Sequence, residues 1–368
     1  MRGFRHRRGW LLCLLLSLGG CHSVAFYGQA LHGQSALWWH RQSIRKLVAD
    51  PATPPALVAR LKVAQQARQF ASDHLDLPRN RSYTYFVPLR RPYVVWNVFA
   101  TPAWSVDPVR HCFPVAGCVA YRGWFSEGGA RAEARRLKAA GNDVYIGGVP
   151  AYSTLGWFAD PVLSSMLAWS DDDLAGTIFH ELAHQQIYVQ GDTAFNESYA
   201  SFVERQGIRE WRHAQGLAPP DPEAGRIEDD FTRQVLQLRQ ELRALYARTM
   251  SASARGTAKQ AAFARFRERY RTWSQAHGVR AKAYQAWVEG PLNNASLLPF
   301  GLYDGWEPGF AHLFASVHQS WPAFFAAVRQ WARLPAPERD ARLQQWTGVV
   351  TEIRAASVLK SDTRASAG

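Results

Sequence analysis

The residues best able to do chemistry lie in one stretch, where His180, Glu181 and His184 form the pattern His-Glu-x-x-His. Side chains four positions apart share one face of a helix, so both imidazoles can bind the same metal ion. Glu197 follows thirteen positions after His184 and is the predicted third ligand. Two histidines and one glutamate leave one position of a zinc ion open for water, which is typical of catalytic zinc. The pattern therefore predicts hydrolysis by a zinc-activated water, with Glu181 as general base.

The flanking residues predict that this pattern lies on a buried helix. Ile178, Phe179, Leu182 and Ala183 are apolar, so the helix would carry its ionisable groups into the core. Buried ionisable groups require partners, and a metal ion supplies them. The alternative is a metal-free core helix whose histidines bond to each other and to the backbone.

A turn and a second helix are expected after the first. Gly191 and Asp192 predict the turn. The apolar periodicity from Asn196 onward predicts an amphipathic helix with Glu197 in its first turn. Glu204 lies two turns later on the same face and is the rival third ligand. We expect Glu197 to be the ligand, because Glu204 begins a charged stretch that is typical of solvated surface.

The run HELAHQ followed by NESYASFVE resembles the HEIAHQ…NEGFASYVE signature of the gluzincin aminopeptidases. The resemblance implies that Glu197 is the third zinc ligand and that Glu204 is not a ligand. Two features differ from that family. Only 12 residues separate His184 from Glu197, which is a shorter gap, and the chain lacks the Gly-x-Met-Glu-Asn sequence that binds the substrate's amino group. The resemblance thus implies a zinc peptidase without implying a requirement for a free amino terminus.

A second resemblance covers nearly the whole chain and concerns a bacterial family of proposed zinc aminopeptidases, most of which are lipoproteins. The segments that carry it are YGQALHGQ (27–34), FPVAGCVAYRGWF (113–125), AYSTLGWFADPVLSSM (151–166), HELAHQ and LNNASL (292–297). It implies a peptide substrate. Gluzincins also use a Tyr or His to stabilise the oxyanion, for which Tyr303 is the first candidate and Tyr152 the second.

The N-terminus has the pattern of a lipoprotein signal. Four arginines precede the apolar run Trp10–Leu18, and Leu-Gly-Gly-Cys then resembles a lipobox that ends at Cys21. Cleavage before Cys21 would leave an acylated cysteine. An uncleaved membrane anchor is the alternative, but the apolar run is shorter than the ~20 residues needed to span a bilayer. His22, rather than Asp, follows the cysteine, which favours the periplasmic face of the outer membrane.

The remaining cysteines and the charge fit an exported protein. Cys112 and Cys118 flank a loop that contains Pro and Gly, so a disulfide is expected in an oxidising compartment. A cysteine metal site is the alternative and would need more ligands nearby. The net charge of +13 indicates either a generally basic surface or attraction to anionic lipid or cell-wall material. The export signal argues against nucleic acid and leaves peptide and membrane as partners.

The patterns along the chain predict an α+β fold that is predominantly α. Its expected parts are a zincin-like catalytic domain with a small mixed sheet, an active-site helix that carries the motif, and a long helical C-terminal region. We predict these segments: signal peptide 1–20, N-terminal helical segment 21–80, catalytic core 81–218, helical region 219–356 and disordered tail 357–368. Residues 143–154 are either an edge strand that could pair with a peptide or an ordinary core strand.

Three further groups of residues each allow two interpretations. Two long helices, Glu223–Met250 and Ala258–Glu289, form a hairpin that either binds a partner or packs against the body. Asp171, Asp172 and Asp173 either orient the histidines or cap the active helix. Asn293 and Asn294 either bind substrate backbone or cap a helix. The competing hypothesis for the whole chain is a non-catalytic envelope lipoprotein that uses the zinc site or the hairpin for assembly.

Overall fold

The computed structural model describes residues 26–113, 117–151, 153–300 and 306–346. Within these ranges the chain is mostly helical and has three small β-sheets, so the predicted α+β class with a helical C-terminal region is confirmed. Cys21, Tyr152, Tyr303 and the tail 357–368 lie outside the described residues. No helix in the described ranges combines the length and the hydropathy needed to cross a bilayer.

The N-terminal part of the described chain is helical, as predicted. Helix α1 covers residues 26–39, α2 covers Ile44–Ala49 and α3 covers Pro55–Asp73. The predicted break at residues 51–55 precedes α3, whose first residue is a proline. Proline suits this position because the first helical N–H has no intrahelical partner.

The largest sheet has three antiparallel strands in the order β6-β3-β7. These strands are Tyr121–Trp124, Val95–Pro102 and Asn142–Val149. Helix α4, Glu127–Ala139, connects β6 to β7 and packs on the sheet, so the predicted strand-helix-strand segment is confirmed. Strand β7 lies at one edge among the described strands.

Two smaller sheets complete the β structure. One has the order β1-β2-β8 and contains Gln42–Ser43, Tyr85–Val87 and Val162–Leu163. The other is the hairpin of β4, His111–Phe113, and β5, Gly117–Val119. Cys112 and Cys118 are register partners in this hairpin and are joined by a disulfide.

The main hydrophobic core is centred on two helices, α5 at Asp171–Gln186 and α6 at Thr193–Ala214. Helix α3 packs on α5, while α10, Glu307–Ser316, packs on α6. Helix α11, Trp321–Ala332, and the helical residues 336–346, called α12, complete this part. One buried cluster therefore joins residues from all three of the predicted segments 21–80, 81–218 and 219–356. Their boundaries stay a prediction.

The long helical hairpin consists of α7, Pro222–Tyr246, and α8, Ala252–Ala281, followed by the short α9, Gln285–Glu289. It has its own apolar cluster, which includes Phe231, Leu238 and Phe266. Lys259 attaches it to the largest sheet, because its ammonium donates to the Asp143 carboxylate of β7 at 2.6 Å and to the Ala103 carbonyl at 3.1 Å. These contacts favour the interpretation of the hairpin as a packing arm.

The 3-10 turn Asn294–Leu297 links this arm to β7. The Asn293 side chain caps the turn by accepting from the backbone N–H groups of Ala295 and Ser296. Asn294 is buried, and its amide donates to the carbonyls of Ala103 and Ser105. Both asparagines therefore have structural roles, as the capping interpretation expects.

The attachment by Lys259 is testable. Lys259→Ala should lower the free energy of unfolding by about 3 kcal/mol, because it leaves the largely buried Asp143 carboxylate without its cation. Urea unfolding of the variant measures this change. Lys282→Ala removes an exposed lysine after the same hairpin and should change stability by less than about 0.5 kcal/mol. Equal effects of the two substitutions would contradict the attachment.

Candidate metal centre

Helix α5 begins at a well-defined cap that orients the whole active helix. The Ser170 hydroxyl accepts from the backbone N–H of Asp173, and three aspartates occupy the first turn, where negative charge favours the helix dipole. Ser170 is therefore the N-cap of α5, and the three aspartates that were expected to cap it lie in its first turn instead. Asp171 pairs with Arg60, and Asp172 pairs with Arg212. These carboxylates are therefore engaged elsewhere and do not orient the histidines.

His180 and His184 lie one turn apart on α5, with their Nε2 atoms 3.1 Å apart. Both side chains are largely buried, at 14% and 5% exposed. Two buried imidazole nitrogens this close cannot both present a lone pair without a shared cation between them or a proton on one of them. The pair is thus arranged to bind positive charge.

A short connection brings α6 back to these histidines. Helix α5 ends two residues after His184, and Gly191 turns the chain with a φ of +80°, which favours glycine. The buried Asn196 side chain binds the backbone of Val189 twice, accepting from its N–H and donating to its C=O, each at 2.8 Å. Asp192 caps α6 by accepting from the N–H of Phe195.

Asp192 has a second partner that comes from the C-terminal part of the described chain. The buried Arg339 guanidinium of α12 forms an ion pair with its carboxylate. Arg339 also donates to the backbone carbonyl of Leu334 at 2.7 Å. The connection before α6 is thereby supported from both sides, which restricts the position of the residues that follow it.

Glu197 is the fifth residue of α6, because the helix begins at Thr193 rather than at the predicted Asn196. Its Oε2 atom lies 3.3 Å from His180 Nε2 and 3.6 Å from His184 Nε2. Tetrahedral ligands at ~2.1 Å from a zinc ion are about 3.4 Å from one another. The three donor atoms have this spacing, so the predicted ligand set is brought together and fits a tetrahedral ion.

The charges of the cluster attract a cation. Burial lowers the pKa of His180, but hydrogen bonds to Glu197 and Glu204 outweigh it and keep this pKa well above the ordinary value. Burial also raises the pKa of Glu197, yet the adjacent imidazoles of His184 and His180 keep it well below the ordinary range. A carboxylate thus stays ionised in a buried site, which requires a proton or a metal ion between the ligands.

Glu204 has a role that the sequence analysis did not assign. Its Oε2 atom lies 2.9 Å from His180 Nδ1, on the ring edge opposite the donor cluster. A proton on Nδ1 is donated to this carboxylate, which leaves Nε2 free to bind an ion. Glu204 is partly exposed, at 36%, as the charged stretch predicts, and its carboxylate also contacts His180. Its carboxylate lies against His180 and outside the donor cluster of His180, His184 and Glu197.

Gly176 allows Glu204 to take this position. A Cβ atom at residue 176 would lie 3.0 Å from Glu204 Oε1 and 3.2 Å from its Cγ. The glutamate therefore crosses α5 at the one place in that turn where the helix has no side chain. Because glycine weakens a helix interior, its presence here is explained by this close approach.

Glu181 follows His180 on α5, and its carboxylate makes no hydrogen bond or ion pair with any other residue that the structure describes. Its negative charge acts on two buried groups, Tyr83 and Asp160. Burial, followed by the charges of Glu181 and Asp160, raises the pKa of Tyr83 well above its ordinary value. Burial likewise raises the pKa of Asp160 to about 6, against hydrogen bonds from Thr154. The Glu181 carboxylate thus acts on Tyr83 and Asp160 and has no hydrogen-bond or ion-pair partner among the described residues.

Asp160, at the end of the loop of residues 153–160, joins this loop to α5 through hydrogen bonds. Its Oδ2 atom accepts from the Gln185 amide at 3.1 Å, and its Oδ1 atom accepts from the Thr154 hydroxyl at 2.7 Å. Gln185 follows Glu181 by one helical turn. The loop is therefore fixed to the face of α5 that carries the predicted general base.

The family model described as "Putative aminopeptidase" matches residues 25–343. The chain belongs to this family. Comparison with curated proteins and with solved structures finds no match. The matched span of the aminopeptidase family contains both helices of the metal centre and also Arg339, which supports the connection between them.

Four residues of the centre were missed by sequence reasoning: Glu204 as a partner of His180, Asn196 as a clamp, Gly176 as the point of close approach, and Tyr188. The Tyr188 ring meets the His184 ring edge-on, with centroids 6.3 Å apart. Burial and the charge of Glu197 raise the pKa of the Tyr188 hydroxyl. The spacing of 24 residues between His180 and Glu204 gives no local signal. The spacing of two helical turns between Glu197 and Glu204, which places both on one helix face, was the only sequence signal for this contact.

The role of Glu204 can be measured by metal affinity. Glu204→Gln and Glu204→Ala should weaken zinc binding by about 10–100-fold, because outer partners of metal-binding histidines set ring orientation and basicity. Competition with a chromogenic chelator measures the change. Glu268→Gln, an exposed glutamate on α8, is the matched control and should leave the affinity unchanged. Equal affinities in all variants would contradict the assigned role.

Proposed function

We propose that this protein is a zinc-dependent peptidase of the aminopeptidase type, in which Glu181 is the general base. The arrangement that supports the proposal most strongly is three donor atoms at tetrahedral spacing, two of them on the helix that also carries Glu181, whose carboxylate has no hydrogen-bond or ion-pair partner among the described residues. His180, His184 and Glu197 would bind the ion. A bound zinc ion would lower the pKa of a water molecule and polarise the scissile carbonyl.

The chain's own residues account for the proton transfers. Glu181 accepts a proton from the attacking water and delivers it to the leaving amine. It follows His180 directly on a helix whose inner face is buried, so the packing that positions the ligands also positions the base. Glu204 keeps the proton of His180 on Nδ1 throughout.

The donor types favour zinc over other ions. Nitrogen donors from two histidines and one carboxylate oxygen suit zinc, whereas magnesium and calcium prefer an all-oxygen set. Three protein ligands also leave a tetrahedral ion with one position for water, as a hydrolase needs. The resemblance to gluzincins, noted from HELAHQ and NESYASFVE, agrees with this choice.

The proposal includes a lipid tether on Cys21 and a location at the outer membrane, facing the periplasm. Support comes from the order of basic, apolar and Leu-Gly-Gly-Cys segments in residues 1–21. The disulfide between Cys112 and Cys118 also supports it, because such bonds persist in oxidising compartments.

Two substitutions at the centre separate catalysis from metal binding. Glu181→Gln should retain stoichiometric zinc and lose peptidase activity by a factor on the order of 10²–10⁴, because it removes only the general base. Glu197→Ala should lose zinc, because it removes a ligand. Metal analysis of the purified protein and a peptide-cleavage assay measure both effects.

Each result also has a contrary outcome. Unchanged zinc content in Glu197→Ala would show that the ligand set is wrong. If bacteria that carry Glu181→Gln behave like wild-type bacteria, the result would favour a non-catalytic envelope lipoprotein that uses its metal site for assembly. Far-ultraviolet circular dichroism of both variants checks that the fold is retained.

The substrate requirement is tested by paired peptides that differ only in acetylation of the N-terminus. An aminopeptidase should cleave the free peptides and leave the acetylated ones intact, because it must accommodate an ammonium group next to the scissile bond. Product mass identifies the bond cleaved. Equal cleavage of both sets would assign the zinc chemistry to an endopeptidase instead.

A further inference from the structure

The first helix of the described chain presents an unusual outer face. Its sequence, FYGQALHGQSALWW, contains no Asp, Glu, Lys or Arg. Phe26, Gly33 and Leu37 face the protein body, and a Cβ atom at Gly33 would overlap the Phe125 ring. The outer face is uncharged and rich in large apolar side chains, with Leu31 exposed by 74% and Trp39 by 84%, beside the exposed polar residues His32 and Ser35. A solvated helix normally carries charges on its outer face.

A neighbouring loop extends this face. Trp157 is 70% exposed, and the next residue, Phe158, meets the Trp38 ring edge-on with centroids 5.6 Å apart. We define the aromatic surface as these exposed side chains: Tyr27, Leu31, Trp38, Trp39, Trp157 and Phe158. Contiguous apolar surface of this kind marks an interaction site.

Basic side chains border the aromatic surface. The Arg41 guanidinium lies 4.9 Å from the Trp38 ring centroid and 4.8 Å from that of Tyr85. Arg45 lines the same groove as Tyr85. Within the described residues, neither arginine forms an ion pair with a carboxylate. The surface thus combines exposed indole rings with uncompensated positive charge, the combination that favours the interface of a membrane with anionic lipids.

We propose that the aromatic surface rests on a lipid bilayer that contains anionic headgroups. The inference depends on the proposed lipid at Cys21, which fixes the distance involved. Phe26 follows Cys21 by five positions in the sequence. However these residues are arranged, they span at most about 18 Å. An acyl chain on Cys21 therefore keeps α1 next to the headgroups, where Trp and Tyr rings are most favourable.

Membrane contact at this surface would also orient the metal centre. The loop that carries Trp157 and Phe158 contains Asp160, which accepts from Gln185 of α5. Gly156 of the same loop packs against the Gln185 side chain. The helix that carries His180 and His184 would thus be attached directly to a loop that rests on the bilayer.

Fluorescence quenching by lipid tests the proposal on the full chain, expressed in a bacterium and reconstituted into vesicles. The vesicles contain phosphatidylcholine and phosphatidylglycerol with brominated acyl chains, which quench tryptophans in contact with the bilayer. We expect the wild type to be quenched, and the quenched fraction to fall in Trp38→Ala/Trp39→Ala and in Trp157→Ala. Omission of phosphatidylglycerol should reduce quenching in the wild type.

Trp104→Ala is the matched control, because Trp104 is also exposed but lies beside Tyr246 and Lys259 of the helical hairpin. Its removal should leave the quenched emission in place. Equal loss in all variants, or no quenching in protein that floats with the vesicles, would overturn the proposal and leave the tether intact. Absence of quenching together with dimers in analytical ultracentrifugation would assign the surface to a second copy.

The outcome is independent of the peptidase proposal. Mass analysis of the N-terminal peptide reports acylation, and zinc content reports the metal centre in the same samples. Quenching limited to the aromatic surface in a chain that is not acylated would support membrane contact and contradict the tether. Loss of zinc with retained quenching would contradict the enzyme proposal alone.

Discussion

The metal centre depends on the close packing of α5 against α6. Two glycines allow this approach: Gly176 faces Glu204, and a Cβ atom at Gly207 would lie 2.8 Å from the Phe179 ring. Apolar residues such as Ile178 and Val203 supply the contact energy around them. The polar residues then meet across a short distance, where His180 contacts Glu197 through one ring nitrogen and Glu204 through the other.

This arrangement has an electrostatic cost that a metal ion can offset. Burying a carboxylate is unfavourable unless an opposite charge compensates it, and the depressed pKa of Glu197 shows that it keeps its charge. Without metal, a shared proton must compensate it. With metal, the ion does so, and binding then contributes to folding stability. The packing of α5 on α6 and the affinity for metal are thus expected to be coupled.

The sequence allowed the cluster of His180, His184 and Glu197, the helix that carries its histidines and the fold class to be predicted, because each depends on local patterns. The motif on an apolar helix needs only the four-residue repeat, and Glu127–Ala139 is bounded by Ser126 and Gly141 as a helix should be. Glu204 could not be assigned, because its partner is 24 residues away and its neighbours are charged. Its position depends on the glycine at 176, whose effect appears only when the two helices are packed.

The short gap between His184 and Glu197 is explained by the connection that the structure provides. Helix α5 ends almost immediately after His184, and Ile187 already has extended backbone. The chain then needs only one turn at Gly191 before α6 begins, and the clamp from Asn196 to Val189 fixes the path of the connection. A longer connection between α5 and α6 could contain more helix or loop without moving Glu197 away from the histidines. The packing of α6 on α5 therefore brings Glu197 to the two histidines across a short connection.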